Sequence, residues 1–331
     1  MGAYFLRRFL YMVLLVALSS VVSFTIIQLP PGDYLTSYVA QLRAQGQDIN
    51  EEEIEGLRKA YGLDQPEYMQ YIIWMRKMIF EGDMGRSFSW RLPVSQLIVE
   101  RLPATLLVSF GATVFIYLLA IPIGIYSATH QYSIGDYVVT IIGFAGLAVP
   151  SFVLALILMV FFYTNFGVSV GGLFSPEMET APWSMAKVGD LIAHLPVPLI
   201  VLGLAGTASI IRVMRATLLD ELNKPYVETA RAKGLPEGRL LFKYPVRIAL
   251  NPIASTAGWL LPAMFSGSTI VAIVLNLPTI GPLLYQALMT EDMFLAGGTV
   301  LISTVLTVVG TFVSDVILVW LDPRIRLEQG T

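Results

Sequence analysis

The side chains that most often do chemistry are scarce in this sequence. It has no cysteine and only two histidines, His130 and His194. Without cysteine there can be no disulfide, no cysteine-ligated zinc and no thiol nucleophile. The histidines stand too far apart for a helical two-histidine metal motif, and no HExxH pair occurs. No serine and histidine fall on neighbouring predicted spans so as to form a nucleophile and its base. A phosphate-cradling loop of the form GxxxxGK(S/T) is missing as well. What stands out is a polar stretch, YVETARAKGL, running from Tyr226 to Leu235 between two apolar runs. Its chemistry is that of a contact surface: an acid, small residues that permit close approach, basic residues and a glycine.

The stretch has the signals of a short helix with a sharp end. Asn223 is suited to cap it, Pro225 to sit in its first turn, and Gly234 to close it in the left-handed conformation. Glu228 falls early, where the positive end of the helix dipole favours an acid. Ala230 and Ala232 keep the surface low. After the glycine, LPEGRLLFKY starts a second short helix with Pro236 in its first turn. The result is a helix–glycine–helix elbow. Read from residues alone, it is either an amphipathic connector at a membrane surface or a docking element.

The elements that must hold this elbow are membrane spans. Of 331 residues, 55% are hydrophobic and only 14% charged, against about a quarter charged in soluble domains. A span needs about 20 apolar residues, and six runs qualify: Phe9–Gln28, then 102–129, 137–163, 191–212, 255–276 and 295–320. The first exceeds the 7–15 residues of a signal-peptide core and is read as an uncleaved span. The interiors of the second, third and fifth contain no Asp, Glu, Lys or Arg. The loop that contains the elbow, 213–254 with Arg212 at its edge, carries Arg212, Arg215, Lys224, Arg231, Lys233, Arg239, Lys243 and Arg247 against Asp220, Glu221, Glu228 and Glu237, and the tail adds Arg324 and Arg326. The loops on the other side hold Glu177, Glu179, Asp190, Glu291 and Asp292 against a single Lys187. The positive-inside rule then places both termini and the elbow in the cytoplasm. The net charge of −3 gives no reason to expect nucleic acid, because the charges are sorted by loop.

Residues 30–101 form the one sizeable extramembrane region, on the outer side. Asn50 can cap EEEIEGLRKAY with Gly62 at its end, and a second amphipathic stretch runs from Pro66 to Phe80 and stops at Glu81-Gly82. This region is either a small helical cap or a docking surface for an external partner. The chain divides into residues 1–29 (first span), 30–101 (outer insertion), 102–321 (five-span core) and 322–331 (tail). Pro122, Gly124, Pro150, Pro262 and Gly267 interrupt the later spans, as happens where helices line a cavity or pack closely. Gly267, Ser268 and Asn276 are the candidate pathway-lining residues, and close helix packing explains the small ones equally well.

The elbow resembles the EAA loop of ABC-importer permeases, a cytoplasmic element that docks in a groove on the ATPase subunit. Glu228-Thr229-Ala230 followed by Gly234 stands for that signature, with threonine in place of the middle alanine. Further segments narrow the likeness. YFLRRFLYMV, LPPGD, YGLDQPEYMQYIIWM, GDMGRSFSWRLPVSQLIVERLPATL, FSGSTIVAIVLNLPTIGPLLYQAL and LDPRIR resemble, in order, the oligopeptide/dipeptide/nickel permease family, specifically the subunit with the long first outer loop. NLPTIG departs from the Pro-Gly pair common there, which alters the outer turn after the fifth span. The resemblance implies an all-α, six-span, type I ABC importer permease fold in a bacterial cytoplasmic membrane. It implies ATPase coupling through Glu228, Thr229, Ala230, Arg231, Ala232, Gly234 and Leu235. It also implies a second homologous permease, two cytoplasmic ATPase domains and an extracytoplasmic binding protein, besides the membrane lipid. ATP and Mg would then belong to the ATPase partners, with no cofactor or metal on this chain. Peptide leads as cargo, with nickel or other metal chelates and oligosaccharides as alternatives.

An ion-coupled secondary transporter is the competing class. Such proteins place ionisable residues at mid-membrane to carry protons or sodium. The acid that lies clearly within a span is Asp315, near the inner end of the last one. It reads either as an interfacial carboxylate or as a proton relay.

Overall fold

Surrounded by hydrocarbon, a chain must satisfy its backbone hydrogen bonds internally, which an isolated run can do only as a helix. The structure, a computed structural model, describes residues 2–28, 39, 54–56, 59, 64–87, 89–254 and 269–321. Among these the chain is helical, with an isolated bridge between Arg86 and Pro93 in place of any strand. The helices begin with α1 (Gly2–Gln28), α2 (Glu67–Arg76), α3 (Val94–Thr129), α4 (Ile134–Ala148) and α5 (Ser151–Phe166). A single turn, α6 (Pro176–Glu179), precedes α7 (Met185–His194) and α8 (Pro196–Leu222). Then come α9 (Pro225–Ala232), α10 (Glu237–Lys243), a helical stretch over 245–254, α11 (Thr269–Val274), α12 (Ile280–Met289) and α13 (Met293–Leu321).

Four helical segments among the described residues are long and apolar enough to cross a membrane, and the pair α4 and α5 makes a fifth if counted as one span. The predicted fifth span, 255–276, falls mostly on residues 255–268, outside the described ones, with α11 at its end. The predicted third span is broken where Pro150 was expected to interrupt it: α4 and α5 meet at 109°. Proline lacks the N–H that would continue the helix and drives the preceding residue to extended backbone. Val149 sits at φ −87°, ψ 124° accordingly. Pro122, by contrast, is carried inside an unbroken α3.

Helix ends also differ from the sequence reading. α3 starts at Val94, so the last part of the outer insertion is already helix continuous with the second span. Its 36 residues reach about 54 Å, well past the thickness of a hydrocarbon core. α8 continues ten residues past the predicted end at 212, so Arg215 and Asp220 lie on helix rather than loop. The EEEIEGLRKAY segment lies largely outside the described residues, whereas the second outer stretch forms α2 and a wider turn, Lys77–Glu81, closed by Gly82 at φ 67°.

Residue contacts divide the chain into two units, one built on Ala104–Pro278 and the other on Leu6–Pro103 with Thr279–Val308. In the first, two apolar clusters are strung along α3 and α8. One joins Val108, Val197 and Val201 to Val271 and Leu275; the other joins Ile116 and Ala128 to Ile210, Met214, Leu218, Val246 and Ile253. Close approach of α3 and α8 depends on Gly124, where an added Cβ would stand 2.6 Å from Met214 Cβ. In the second unit, Trp74, Val94, Ile98, Leu283, Phe294 and Leu295 share one core. There the GDMGRSFSW loop is held by a fully buried carboxylate. Asp292 accepts from Ser87 Oγ at 2.5 Å and from the Ser89 N–H at 3.1 Å, and caps α13 through the Leu295 N–H at 3.2 Å. This contact ties the segment around Ser87 and Ser89 to the start of α13.

Candidate functional site

The elbow stands between α8 and the helical stretch over 245–254. Pro225 occupies the first turn of α9 as expected, but Asn223 does not cap it. The residue before a proline is driven to extended backbone. Lys224 takes that conformation, φ −82°, ψ 146°, and becomes the capping position. Asn223 instead ends α8, its Nδ2 donating to the Leu219 carbonyl at 2.9 Å. Pro236 likewise precedes α10 rather than lying in its first turn.

Two buried anchors and a tether position the elbow. Val227 and Leu240 are each fully buried, one from each short helix. Tyr226 Oη donates to Glu221 Oε2 at 2.6 Å, tying α9 to the end of α8. Burial, then the Glu221 carboxylate, raises the Tyr226 hydroxyl above its ordinary pKa, so it stays a donor.

The turn itself is closed by hydrogen bonds that need a left-handed residue. Gly234 has φ +78°; its N–H donates to the Arg231 carbonyl at 2.9 Å, and the Leu235 N–H reaches back to Ala230 at 3.3 Å. This is the Schellman arrangement, in which carbonyls left open at the helix end are satisfied. Across the turn, Arg231 grips Glu237 with Nε to Oε1 at 2.5 Å and Nη2 to Oε2 at 3.2 Å. That pair holds the Glu237 carboxyl below, and the Arg231 guanidinium above, their ordinary values. With Val227 and Leu240 turned inward, Glu228, Thr229, Arg231, Ala232 and Gly234 are exposed, and Ala230 and Leu235 are partly covered. Thr229 returns its hydroxyl to the Pro225 carbonyl at 2.9 Å, so it presents mainly its methyl outward. The seven residues follow one another along α9 and the turn that ends it, five of them exposed. The exposed part carries the Glu228 carboxylate, small side chains and the Arg231–Glu237 pair.

The candidate pathway residues are not gathered in the same way. Gly267 and Ser268 lie outside the described residues. Asn276 ends α11 at φ +50°, with the Leu277 N–H bonded back to the Ala272 carbonyl at 2.8 Å. In NLPTIG, asparagine thus holds the left-handed position of the turn that follows α11. Asp315 lies half-buried on α13 and is engaged by a neighbour rather than free.

One constellation close to the elbow escaped the sequence reading. Asp136, 3% exposed, takes hydrogen bonds from Arg215 Nε and Nη2, both at 3.0 Å, from the Tyr132 N–H at 3.0 Å and from Ser127 Oγ. It joins α3, α4 and α8 at the end that carries the elbow. The available signal was Ser133 three residues before Asp136, a helix-start pattern, but nothing local names Arg215 as partner 79 residues away. Lys187 is also not what its loop suggested. Instead of balancing the outer acids it is buried, donating to the Glu179 and Ala181 carbonyls at 3.1 and 2.7 Å beneath Phe174 and Trp183. Ser175, Asp190 and His194 meet nearby, but the serine bonds the carboxylate directly at 2.6 Å, and the imidazole Nδ1 is engaged by the Asp190 carbonyl at 2.8 Å.

Comparison with known proteins agrees with this architecture. Residues 120–327 match the family described as binding-protein-dependent transport system inner membrane component, and residues 1–109 match its N-terminal counterpart. The oligopeptide transport system permease protein AppB of Bacillus subtilis is 36% identical, over 98% of this chain and 100% of that one. The peptidoglycan transport system permease protein YejB of Agrobacterium fabrum is 31% identical, over 99% of both. Among solved structures, the fold is similar to a chain of the MetNI methionine ABC transporter in an inward-facing conformation. The TM-score is 0.52 and identity 17%, over 69% of this chain and 97% of that one. The match of family, length and helical fold together identifies this chain as a member of the inner-membrane components of binding-protein-dependent transport systems.

Proposed function

We propose that this chain is one of two permease subunits of an ATP-driven importer and that its cargo is peptide. The observation that carries the reading is the closed, exposed elbow between two spans, with its anchors buried and its small, acidic face outward. ATP hydrolysis then falls to two cytoplasmic ATPase domains, which bind at Glu228 to Leu235. Drawing the elbows of the two permeases together would tilt the attached α8 and open the path toward an extracytoplasmic binding protein. Both termini and the elbow are cytoplasmic, as the basic residues of 213–254 suggest. The names of the relatives, one an oligopeptide and one a peptidoglycan permease, favour peptide over metal chelates or oligosaccharides.

The test is uptake by the full transporter in liposomes, with ATP inside and loaded binding protein outside. Labelled peptide should accumulate with ATP and persist when a protonophore collapses the proton gradient. Uptake lost to the protonophore at constant ATP would instead mean ion coupling. Accumulation of nickel chelate or oligosaccharide without peptide would overturn the cargo.

A further inference from the structure

We propose that the cleft between α4 and α8 binds an anionic phospholipid. The cleft measures about 210 Å³. Its apolar walls are Val139 and Phe144 on α4 and Ala208 and Ile211 on α8. Toward the elbow the lining turns cationic and polar, with Arg212, Arg215 and Ser127. Positions 208, 211, 212 and 215 lie on one face of α8. The change from hydrocarbon-like to charged lining therefore takes about 10 Å along the helix, the depth over which a bilayer passes from acyl chain to headgroup.

The two arginines are not equivalent. Arg215 is committed to Asp136 through both of its bonded nitrogens. Arg212 is exposed, has no carboxylate partner among the described residues, and lies over the Phe144 ring at 5.5 Å from its centroid. A guanidinium at the end of an apolar groove in a membrane calls for an anion. Phosphate fits its planar fork bidentately, and basic pockets between spans on the cytoplasmic side suit acidic headgroups. The face of α4 turned away from the cleft carries Val138, Ile141 and Ile142, between 48% and 66% exposed, a surface suited to hydrocarbon. A lipid supplies both chemistries at once, an acyl chain for the walls and a phosphate for Arg212. A protein partner would have to bring its own carboxylate into an apolar groove. The inference rests on the membrane placement of α4 and α8 and is independent of the cargo.

The experiment is native mass spectrometry of the purified transporter with phosphatidylglycerol or phosphatidylcholine of identical acyl chains. Wild type should retain phosphatidylglycerol about fivefold better, the preference one basic residue near a membrane surface gives. Arg212→Gln should abolish the preference and leave phosphatidylcholine retention unchanged, and Arg212→Lys should keep part of it. Gly143→Leu should lower retention of both lipids, since Gly143 lines the cleft and its Cβ would lie 3.5 Å from Ala208 Cβ, an ordinary contact. Millimolar inorganic phosphate should displace neither. Equal retention of the two lipids by wild type, or displacement by inorganic phosphate, would overturn the proposal. So would efficient cross-linking of a Phe144→Cys variant of this cysteine-free chain to the second permease, because the cleft would then be a subunit interface.

Discussion

Gly234 is where the coupling reading can be tested with the least ambiguity. Its φ of +78° lies in the left-handed region, and nothing stands within 4 Å of where a Cβ would be. Substitution therefore acts through backbone conformation and not through a clash. Holding an L-residue in that region costs roughly 1–2 kcal/mol, alanine near the lower figure and β-branched valine at or above the upper. Opening the turn instead forfeits the Gly234-to-Arg231 and Leu235-to-Ala230 hydrogen bonds, each about 1 kcal/mol net. Gly234→Ala should thus keep the turn closed at some cost. In Gly234→Val strain and bonds are comparable, and the turn splays. At about tenfold per 1.4 kcal/mol, the ratio of closed to open elbow should fall about fivefold in the alanine variant and about thirtyfold in the valine variant, so the first stays mostly closed and the second is open about half the time. Gly234→Asn should stay near wild type, because asparagine tolerates the left-handed region. The assay is co-purification with the ATPases, followed by stimulation of ATP hydrolysis by loaded binding protein, at matched membrane levels. Glu228→Arg, which alters the surface and not the turn, should fail in the same assays through repulsion and an unpaired donor on the partner. Normal uptake by both Gly234→Val and Glu228→Arg at normal expression would refute the reasoning and leave the elbow a connector.

Other consequences follow from particular contacts. Asp136→Ala removes the carboxylate that gathers Ser127, Tyr132 and Arg215 and should destabilise the chain by about 1.5–3 kcal/mol, since Arg215 is only partly buried, read as a lower melting temperature in detergent and reduced membrane levels. In the cysteine-free background, Glu67→Cys should react with an impermeant maleimide in intact cells and Glu237→Cys should not; the reverse labelling would invert the proposed orientation. The Arg231–Glu237 pair lowers the Glu237 pKa, so its contribution is complete above the ordinary glutamate range and is lost as pH falls through the lowered value. Docking should therefore be flat from about pH 6 to 8 as far as this pair is concerned. Because both side chains are exposed and screened, Glu237→Gln should weaken ATPase co-purification far less than Gly234→Val.

Much of this protein is legible in one dimension because the membrane makes strong local demands. Apolar length alone marks α1, α3, α8 and α13, since hydrocarbon tolerates no unsatisfied backbone. The elbow is legible for a similar reason: a proline at the start and a left-handed glycine at the end of α9 are backbone requirements met by single residue types. Likewise Pro150 signals the break between α4 and α5, although the angle of 109° depends on where the two halves pack. Pro122 resembles Pro150 in sequence yet lies in an unbroken helix, so a proline by itself does not announce a break. What sequence could not supply are pairings between distant residues. Asp136 with Arg215, Asp292 with Ser87, and Lys187 with two backbone carbonyls each look like ordinary loop or helix-end polar residues until folding brings their partners within 3 Å or so. Local sequence settles which segments are helices, because their hydrogen bonds close within four residues. The tertiary structure alone settles which buried charges find a partner, because that depends on side chains up to 205 residues apart.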